Sequence, residues 1–493
     1  MAGCSNYYVG NENAVPTLAP SPTSGSSGID LNTGTRESAR IGVLNLNTFF
    51  PLDIQDRQLQ RFLGLIYEPL IQLDVNMKAV GCLASSVSTS DGGITWDVSL
   101  KNNVKWHDGA SLSVDDVIYT VEYIRLHNTI DSKLIQDIKE IVKKTDTEFS
   151  FVLNQADSTF ISKITFPIVK KHGEYTVYPC GTGMYSFSRV ANTGEYIFTI
   201  NDQYHGNKPK IKQIIIASFN DLAQLQASDS DIIFIPDATP QNSSIGGMNR
   251  FLLEQDLLYC LVPSEQLSAN DSASIKIRKA TYNAINSMEL IKNNLSGLGK
   301  QRAIPIPDKT FFWQKDDIFI KEDFYDVTFD NLNLFEKVNI TICAPQNNTE
   351  MIQVARNCIA QLNSKGANAS LIVYDNENEL NNMEYSYRIT NINIIHNWDF
   401  IPIFAENEIL SYNTLAIKNA YMKPNETGVT DPDRFAEYMQ SQMNKLAEGY
   451  FGTVPFIGLY VHYDALLIDQ TLNVNYGFTP VSWNPILGFE TLY

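Results

Sequence analysis

The sequence predicts a mixed α/β protein built as more than one lobe. Its 493 residues exceed the roughly 100–200 residues that one domain usually takes. Trp96, Val98 and Leu100 alternate with polar residues, which is typical of a half-buried strand. An apolar strand at 338–342, a helix face at 351–362 and a further strand at 371–373 follow one another as in a right-handed parallel β-α-β unit.

The first half of the folded region opens with a predicted strand at 41–46 and a predicted helix at 55–66. Pro69 disfavours helical geometry at the residue before it, so the helix should end by then. Ser113 is a good helix N-cap, and Asp116 three residues later completes a capping box. The apolar face of this helix comprises Val114, Val117, Ile118, Val121 and Ile124. This spacing predicts one well-defined amphipathic helix.

The second half of the chain continues the same pattern. Alternating apolar residues predict a strand over 196–200, and a strand at 214–216 follows. Helix signals cover 275–291. Pro432 stands at the first position of a further predicted helix, where proline is favoured.

Composition excludes several classes of protein. The chain has 55 acidic and 37 basic residues, a net charge of −18, so it lacks the basic surface that nucleic acid requires. No apolar run approaches the roughly 18 residues of a membrane span. The six cysteines show no CxxC spacing, which argues against zinc. We expect buried free thiols at Cys82, Cys180, Cys260, Cys343 and Cys358.

Residues 1–35 have a different character. Ala2-Gly3-Cys4 before a small polar residue resembles the end of a bacterial lipoprotein signal, in which the cysteine carries the lipid. The preceding hydrophobic leader is missing, so we expect that it was trimmed. Ser, Gly, Asn, Pro and Thr dominate the rest of the segment, which predicts a flexible tether.

Several segments together resemble a known family, the family 5 extracellular solute-binding proteins, which are the oligopeptide-, dipeptide- and nickel-binding proteins of bacterial ABC importers. The resemblance covers residues 41–493 and is most specific over 65–117. The segments that carry it are Leu65–Leu70, Leu83–Trp96, Leu100–Gly109, Ser113–Val117, Cys180–Tyr185, Tyr204–Pro209 and Ile277–Ile285.

The resemblance implies a two-lobed periplasmic-binding-protein-like fold with an extra subdomain in the first lobe. Residues 36–262 and 463–493 would form the first lobe, with the extra subdomain near 79–177, and 263–462 the second. The lobes would close on a ligand. The expected protein is a monomer held by a lipid anchor outside the cytoplasmic membrane or in the periplasm, and its partners are a short peptide and the permease subunits of an ABC importer.

Site residues also follow from the resemblance. Peptide-binding members hold the peptide ammonium with a second-lobe carboxylate near a tryptophan, and the matching residues are Asp399 and Trp398, with His396 beside them. On the first lobe the matching turn comprises Asn47, Thr48, Phe49 and Phe50. Tyr185 and Trp483 are weaker candidates.

Other functions stay open on the residues alone. The same scaffold could bind a metal chelate, which His396 could touch, or an oligosaccharide, or it could serve as a surface sensor without transport. No two histidines stand at helical metal-ligand spacing, so we expect no metal and no cofactor. The chain contains no Gly-x-Ser-x-Gly and no His-Glu-x-x-His, so we expect no enzyme activity.

Overall fold

The structure is a computed structural model that describes residues 36–176, 178–306, 338–394, 398 and 432–493. Its strands are β1 (Ser38–Leu44), β2 (Ile71–Leu73), β3 (Ala79–Gly81), β4 (Ala84–Thr89), β5 (Thr95–Leu100), β6 (Ile138–Lys143), β7 (Glu148–Leu153), β8 (Tyr185–Val190), β9 (Tyr196–Ile200), β10 (Gln213–Phe219), β11 (Ile232–Ile235), β12 (Met248–Pro263), β13 (Gly299–Gln301), β14 (Asn339–Pro345), β15 (Asn368–Tyr374), β16 (Tyr387–Asn393) and β17 (Ile457–Asp469). Its α-helices are α1 (Arg57–Phe62), α2 (Val114–His127), α3 (Ser132–Ile135), α4 (Leu222–Gln226), α5 (Ser272–Ala284), α6 (Ser287–Leu295), α7 (Thr349–Ser364), α8 (Glu377–Leu380) and α9 (Pro432–Thr453). The predicted mixed α/β class is confirmed.

One large sheet runs through most of the described chain. Its strand order is β15-β14-β16-β12-β17-β11-β1-β10-β9-β8, and β13 pairs with β17 as well. β14 is parallel to β15 and β16, and β1 is parallel to β10 and β11, while the other pairs are antiparallel. The parallel pairing of β14 with β15, with α7 between them in the chain, confirms the predicted strand-helix-strand arrangement.

The two long central strands, β12 and β17, have 16 and 13 residues. They pair antiparallel from Met248 opposite Asp469 to Leu261 opposite Ile457. The register shifts between Glu254 and Leu258, where β12 carries more residues than β17. Such a β-bulge bends the bulged strand and turns side chains in new directions.

Buried apolar side chains form two large cores. The first core takes its members from the segments 39–253 and 466–492, and the second core takes its members from 258–461. Leu253 lies in the first core, while Leu258, beyond the bulge in β12, lies in the second. Both β12 and β17 therefore pass from one core to the other.

A separate antiparallel sheet, in the order β4-β5-β7-β6, belongs to the first core. The rings of Trp96 and Phe151 lie 6.0 Å and 5.2 Å from the ring of Phe160. The indole N–H of Trp96 donates to the carbonyl oxygen of Asp157 at 3.1 Å. The alternation predicted for 95–100 thus produces a strand whose apolar face is buried.

Local sequence signals placed α2 correctly. The Ser113 N–H donates to Asp116 Oδ2 at 2.9 Å, as a capping box requires. The helix stops at Asn128, which is left-handed at φ 47°. Val114, Val117, Val121 and Ile124 of the predicted face are buried.

Two predicted helices are shorter than expected. The helix signals at 275–291 belong to two helices, α5 and α6, because Ile285 is extended and the Asn286 side chain accepts the N–H of Glu289 as a new N-cap. α1 ends at Phe62 and continues only as a 3₁₀ turn. In both cases side-chain capping or a tighter turn overrides the apolar pattern.

Three of the family-like segments meet around Glu68, whose side chain is buried. Its carboxylate accepts the hydroxyl groups of Thr182 at 2.9 Å and Tyr204 at 3.0 Å, and His205 Nε2 lies 2.9 Å away. A Cβ on Gly181 would stand 1.8 Å from the carbonyl oxygen of Ile66, so only glycine fits there. These motif residues therefore hold the first core together.

The five described cysteines are free thiols. Cys82, Cys260, Cys343 and Cys358 are buried as predicted, whereas Cys180 is half-buried. Burial raises the pKa of the Cys260 thiol above its ordinary value, which makes it an unreactive core residue. Within the described ranges no helix combines the length and the apolar character that crossing a membrane requires.

Candidate ligand-binding site

A cavity of about 730 Å³ is lined by segments that belong to both cores. The first core contributes residues from 57–73, 128–136, 163–167 and 483–486. The second core contributes 391–394, and Asp256 in the bulge of β12 completes the wall. This volume lies within the range of roughly 300–1,000 Å³ that is usual for pockets that bind small molecules.

Arg61 and Asp256 form an ion pair at the cavity wall. The guanidinium Nη1 lies 3.1 Å from Asp256 Oδ2 and donates to the carbonyl oxygen of Ser482 at 2.8 Å. The two side chains are 15% and 26% exposed. Burial lowers the pKa of Arg61, and the charge of Asp256 opposes that effect. Arg61 is thus held in one orientation by two partners.

Arg57 is bound to Asp131, a fully buried carboxylate at the start of α3. Gln60 Nε2 donates to the other oxygen of Asp131 at 2.8 Å and to the carbonyl oxygen of Pro51 at 3.0 Å. Arg57 and Gln60 both bind the Asp131 carboxylate, and Gln60 is itself held by Pro51. The buried charge therefore has the hydrogen-bond partners that its burial requires. This part of the wall is therefore preformed.

Lys163 is the third cation of the wall with a carboxylate partner. Its Nζ lies 2.7 Å from Asp157 Oδ2, and both side chains are buried. Burial alone would raise the pKa of Asp157, but the Lys163 charge and the donors of Thr159 keep it below its ordinary value. The Asp157 carboxylate therefore stays ionised at neutral pH.

The second core presents the end of a strand to the cavity. Asn391, Ile392, Asn393 and Ile394 all line it. Successive side chains of a strand point to opposite faces, so four consecutive lining residues indicate that the main-chain edge faces the cavity. β16 pairs along one edge with β12, whereas its other edge pairs with β14 only at Tyr387 and Arg388. From Ile389 onward no described strand covers that edge.

Trp398 connects segments of the two cores. It is 6% exposed and packs in the second core. Its N–H donates to Ser162 Oγ at 3.0 Å, and its indole Nε1 donates to the carbonyl oxygen of Met77 at 2.8 Å. It is absent from the described lining of the cavity. Its role as a wall beside a ligand stays a prediction.

The first-lobe turn predicted to line the cleft lies elsewhere. Phe49 packs 4.5 Å from the ring of Tyr196, and Phe50 packs 5.1 Å from the ring of Tyr123. Thr48 Oγ1 accepts the N–H of Phe50 at 3.0 Å, and Asn47 is exposed. None of these four residues is in the described lining. The two aromatic rings pack on the first core instead.

The two weaker candidates, Trp483 and Tyr185, lie in different surroundings. Trp483 lines the cavity, with its indole N–H bound to the carbonyl oxygen of Asp74 at 3.0 Å. Tyr185 is fully buried and donates to the carbonyl oxygen of Ile211 at 2.8 Å. Cys4, His396 and Asp399 lie outside the described residues.

The charged residues of the wall were not found from the sequence. Arg61 and Asp256 are 195 positions apart, and Arg57 and Asp131 are 74 apart. No local pattern marks such pairs. Across the described ranges, no cluster of three or more His, Cys, Asp or Glu side chains could hold a metal ion.

Comparison with known protein families identifies the family of this chain. The sequence model of the bacterial extracellular solute-binding proteins, family 5 middle region, matches residues 78–404. The oligopeptide-binding protein AppA of Bacillus subtilis is 26% identical over 279 residues, which are 51% of this chain and 50% of AppA. The chain spans about half the length of the curated relatives it matches.

Solved structures share the fold over nearly the whole chain. The ABC transporter substrate binding protein CtaP from Listeria monocytogenes is 19% identical, with a TM-score of 0.69 and coverage of 93% of this chain and 99% of CtaP. The periplasmic murein tripeptide binding protein MppA, in an unliganded open form, is 13% identical, with a TM-score of 0.75 and coverage of 93% and 97%. The predicted two-lobed periplasmic-binding-protein-like fold is confirmed.

Proposed function

Because the chain belongs to family 5 of the bacterial extracellular solute-binding proteins, we propose that it captures short peptides in the cavity between its two cores and delivers them to an ABC importer. In this proposal the protein binds and releases its ligand without chemical change. The observation that carries it is the cavity of about 730 Å³ lined from both cores. AppA, a relative of this chain, is named for oligopeptide binding.

The uncovered edge of β16 supports a peptide as the ligand. An extended peptide offers alternating N–H and C=O groups, and a strand edge can pair with them whatever the side chains are. The cavity-lining residues Asn391–Ile394 continue directly from that edge. Main-chain pairing would give affinity, and the surrounding space would accept different side chains.

The proposed lobes are residues 36–262 with 463–493 and residues 263–462. The change of core between Leu253 and Leu258 and between Val461 and Leu466 supports these boundaries. The four-stranded sheet of β4–β7 supports an extra subdomain near 79–177. Rotation of the lobes about β12 and β17 would close the cavity on a ligand.

Asp399 is the proposed partner of the peptide ammonium, with His396 and Trp398 beside it. Asn391–Ile394, which line the cavity, precede this segment in the chain. Asn47, Thr48, Phe49 and Phe50 also remain proposed ligand-binding residues. Lipidation of Cys4 would hold the protein on the outer face of the cytoplasmic membrane, beside the permease subunits.

Thermal unfolding against di- to octapeptides tests the proposal. A peptide at 100 times its dissociation constant should stabilise the native state by about 2.7 kcal/mol and raise the unfolding midpoint. Mass spectrometry should recover the peptide intact. Asp399→Asn and N-terminal acetylation of the peptide should each abolish the shift.

The matched control is Asp375→Asn, because Asp375 is exposed and lies outside the described cavity lining. This variant should retain the full shift. The absence of a shift with every peptide would contradict the proposal. A shift with metal chelates or oligosaccharides alone would favour those ligands on the same scaffold.

A further inference from the structure

His462 lies where β17 passes from one core to the other. Val461 belongs to the second core, and Leu466 belongs to the first. His462 pairs with Gly299 of β13 on one side and stands opposite the bulge of β12 on the other. Its side chain is only 10% exposed. A side chain at this point can contact residues of both proposed lobes.

Two carboxylates, one from each proposed lobe, flank the imidazole of His462. Its Nε2 lies 2.6 Å from Oε1 of Glu350, which is in the first turn of α7, a helix of the second core. Its Nδ1 lies 3.7 Å from Oδ1 of Asp237, which follows β11 in the first lobe. The imidazole therefore bridges the two lobes beside the strands that join them.

Neighbouring side chains hold both carboxylates in place. Tyr259 donates its hydroxyl group to Glu350 Oε2 at 2.7 Å, and its ring stacks on the imidazole with 4.9 Å between the ring centroids. Gln255 Nε2 donates to Asp237 Oδ1 at 2.8 Å. Burial alone would raise the pKa of Glu350, but the contacts with His462 and Tyr259 keep it below its ordinary value. Glu350 is therefore ionised throughout the pH range in which histidine changes charge.

The charge of His462 decides how many of these contacts it can make. A neutral imidazole has one N–H donor and one lone pair, whereas an imidazolium has two N–H donors. The neutral ring can donate to Glu350, but it then turns a lone pair toward the Asp237 carboxylate. The imidazolium donates to Glu350 and attracts Asp237 as well. An added proton therefore strengthens the connection between the lobes.

Among the described residues, Tyr259 of β12 and Tyr460 and Asp464 of β17 are the other titratable groups that face the imidazole. Burial raises the pKa of both tyrosines, so they stay neutral at physiological pH. Asp464 follows His462 by two positions and therefore points to the same face of β17. Burial raises the pKa of Asp464 to about 7, so its charge changes in the same pH range. An experiment on His462 must therefore separate it from Asp464.

Three charged residues of β12 and β13 lie near His462 along the strands but face elsewhere. Lys300 and Glu254 pair with the residues on either side of His462 in β17, and consecutive residues of a strand point to opposite faces. Lys300 Nζ lies 2.7 Å from Glu254 Oε1 on that other face. Asp256 is paired with Arg61 at the cavity wall. The charges of these three residues are therefore engaged by other partners.

We propose that His462 is a pH-sensitive switch of lobe position: its protonated form holds the lobes in the arrangement that walls the cavity from both cores, and its neutral form releases them. Rotation about β12 and β17 would change the distance between Glu350 and Asp237. Protonation therefore favours the arrangement in which both carboxylates flank the ring. Ligand affinity should then be higher at mildly acidic pH. This inference rests on the proposed function, since it regulates the same cavity.

Calorimetric titration of one peptide that binds, at pH 6.0, 7.0 and 8.0, tests the switch on the full chain. The affinity of the wild type should rise by about fivefold to tenfold from pH 8.0 to pH 6.0, a coupling at the low end of the usual range. His462→Gln keeps a donor for Glu350 but cannot take up a proton, so its affinity should change by less than about twofold. The titratable groups of the peptide affect both proteins alike.

His205→Gln is the matched control. The side chain of His205 is also 10% exposed, and its Nε2 also contacts a carboxylate, that of Glu68 at 2.9 Å, but both residues lie in the first lobe. This variant should keep the wild-type pH dependence of affinity, and so should Asp464→Asn. If the pH dependence disappeared in Asp464→Asn and persisted in His462→Gln, Asp464 would be the switch and the assignment to His462 would be wrong.

Small-angle X-ray scattering of the ligand-free full chain gives a measurement that requires no peptide. The radius of gyration of the wild type should be smaller at pH 6.0 than at pH 8.0, because the protonated bridge holds the lobes together. His462→Gln should give the same radius at both pH values. A wild-type radius that is unchanged or larger at pH 6.0, or the same change in both proteins, would overturn the switch.

The outcomes distinguish this inference from the proposed function. If peptides bind with the same pH dependence to the wild type and to His462→Gln, the switch is wrong and peptide capture stands. If no peptide binds, the proposed function is wrong, and the scattering comparison alone decides whether His462 controls the position of the lobes.

Discussion

Glu254 and Asp464 are two carboxylates on the strands that join the cores. They differ in whether a cation lies beside them. In the β12–β17 ladder Leu253 pairs with Asp464, so Glu254 is one position further along. Glu254 contacts two cations, Lys300 at 2.7 Å and Arg302. Asp464 is 4% exposed and forms no ion pair with a described residue. It accepts the side-chain amide of Gln255 at 2.7 Å and one backbone N–H at 3.1 Å.

The pKa values of the two carboxyl groups are shifted in opposite directions. Burial alone would raise the pKa of Glu254, but Arg302 and Lys300 outweigh it and lower the pKa to about 2. Burial raises the pKa of Asp464 to about 7, and the hydrogen bonds from Gln255 and the Asp237 backbone only partly oppose it. The nearby cation, rather than burial, decides the charge state. The connecting strands therefore hold one fixed charge and one that changes near neutral pH.

The largest expected effect comes from Asp464→Asn. The native state of the wild type binds a proton more tightly than the unfolded chain does, so stability is lost as the pH rises from the ordinary value of 3.8 to about 7. At about 1.4 kcal/mol per pKa unit, this loss is about 4 kcal/mol at pH 8. The asparagine variant avoids it and should be more stable by up to that amount at pH 8.

Denaturant unfolding of both proteins at several values from pH 4 to pH 8 measures this difference. The stabilisation by Asp464→Asn should vanish near pH 4. Asp375→Asn, at an exposed aspartate, should follow the wild type throughout. An equal stabilisation at pH 4 and pH 8 would mean that packing, rather than titration, distinguishes Asp464 from Glu254.

The second effect, of the opposite sign, is expected from Glu254→Gln. A lowered pKa adds stability that is present above the ordinary value of 4.5 and lost as the pH falls toward about 2. Removal of the charge should therefore cost about 3 kcal/mol at pH 7 and progressively less below pH 4.5. Glu37→Gln breaks an exposed pair with Lys212 and should cost at most about 1 kcal/mol. If Glu254→Gln lowered the free energy of unfolding no more than this control does, the two cations would not be stabilising the charge of Glu254. The contrast with Asp464 would then be wrong.

Sequence reasoning reached the local structure but not these contacts. The capping box at Ser113 and the alternation at 95–100 depend on residues a few positions apart, and both were predicted correctly. Gln255 and Asp464 are 209 positions apart and meet only because β12 and β17 pair with a bulge. Phe49 likewise packs on Tyr196, which no local pattern reveals. Pairing register is set by the whole sheet, so side chains near the cavity cannot be assigned from periodicity.

The smallest expected effect comes from Gln255→Ala, which removes the donor that favours the charged form of Asp464. Loss of this hydrogen bond should lower stability by about 1 kcal/mol at pH 8, where Asp464 is ionised, and by less at pH 5. Because the pKa of Asp464 rises without this donor, the loss of stability should continue to a higher pH in the variant than in the wild type. The same unfolding series measures it.

The Asp464→Asn background provides the control for Gln255→Ala. Without a titrating carboxyl group at 464, the cost of Gln255→Ala should no longer depend on pH. Gln255 also donates to Asp237, whose side chain is 74% exposed, and a bond to an exposed carboxylate contributes little. If the pH dependence persisted in that background, the titrating group would be another residue of these strands. The contrast between Asp464 and Glu254 would then be wrong, because Asp464 would not be the group that titrates near neutral pH.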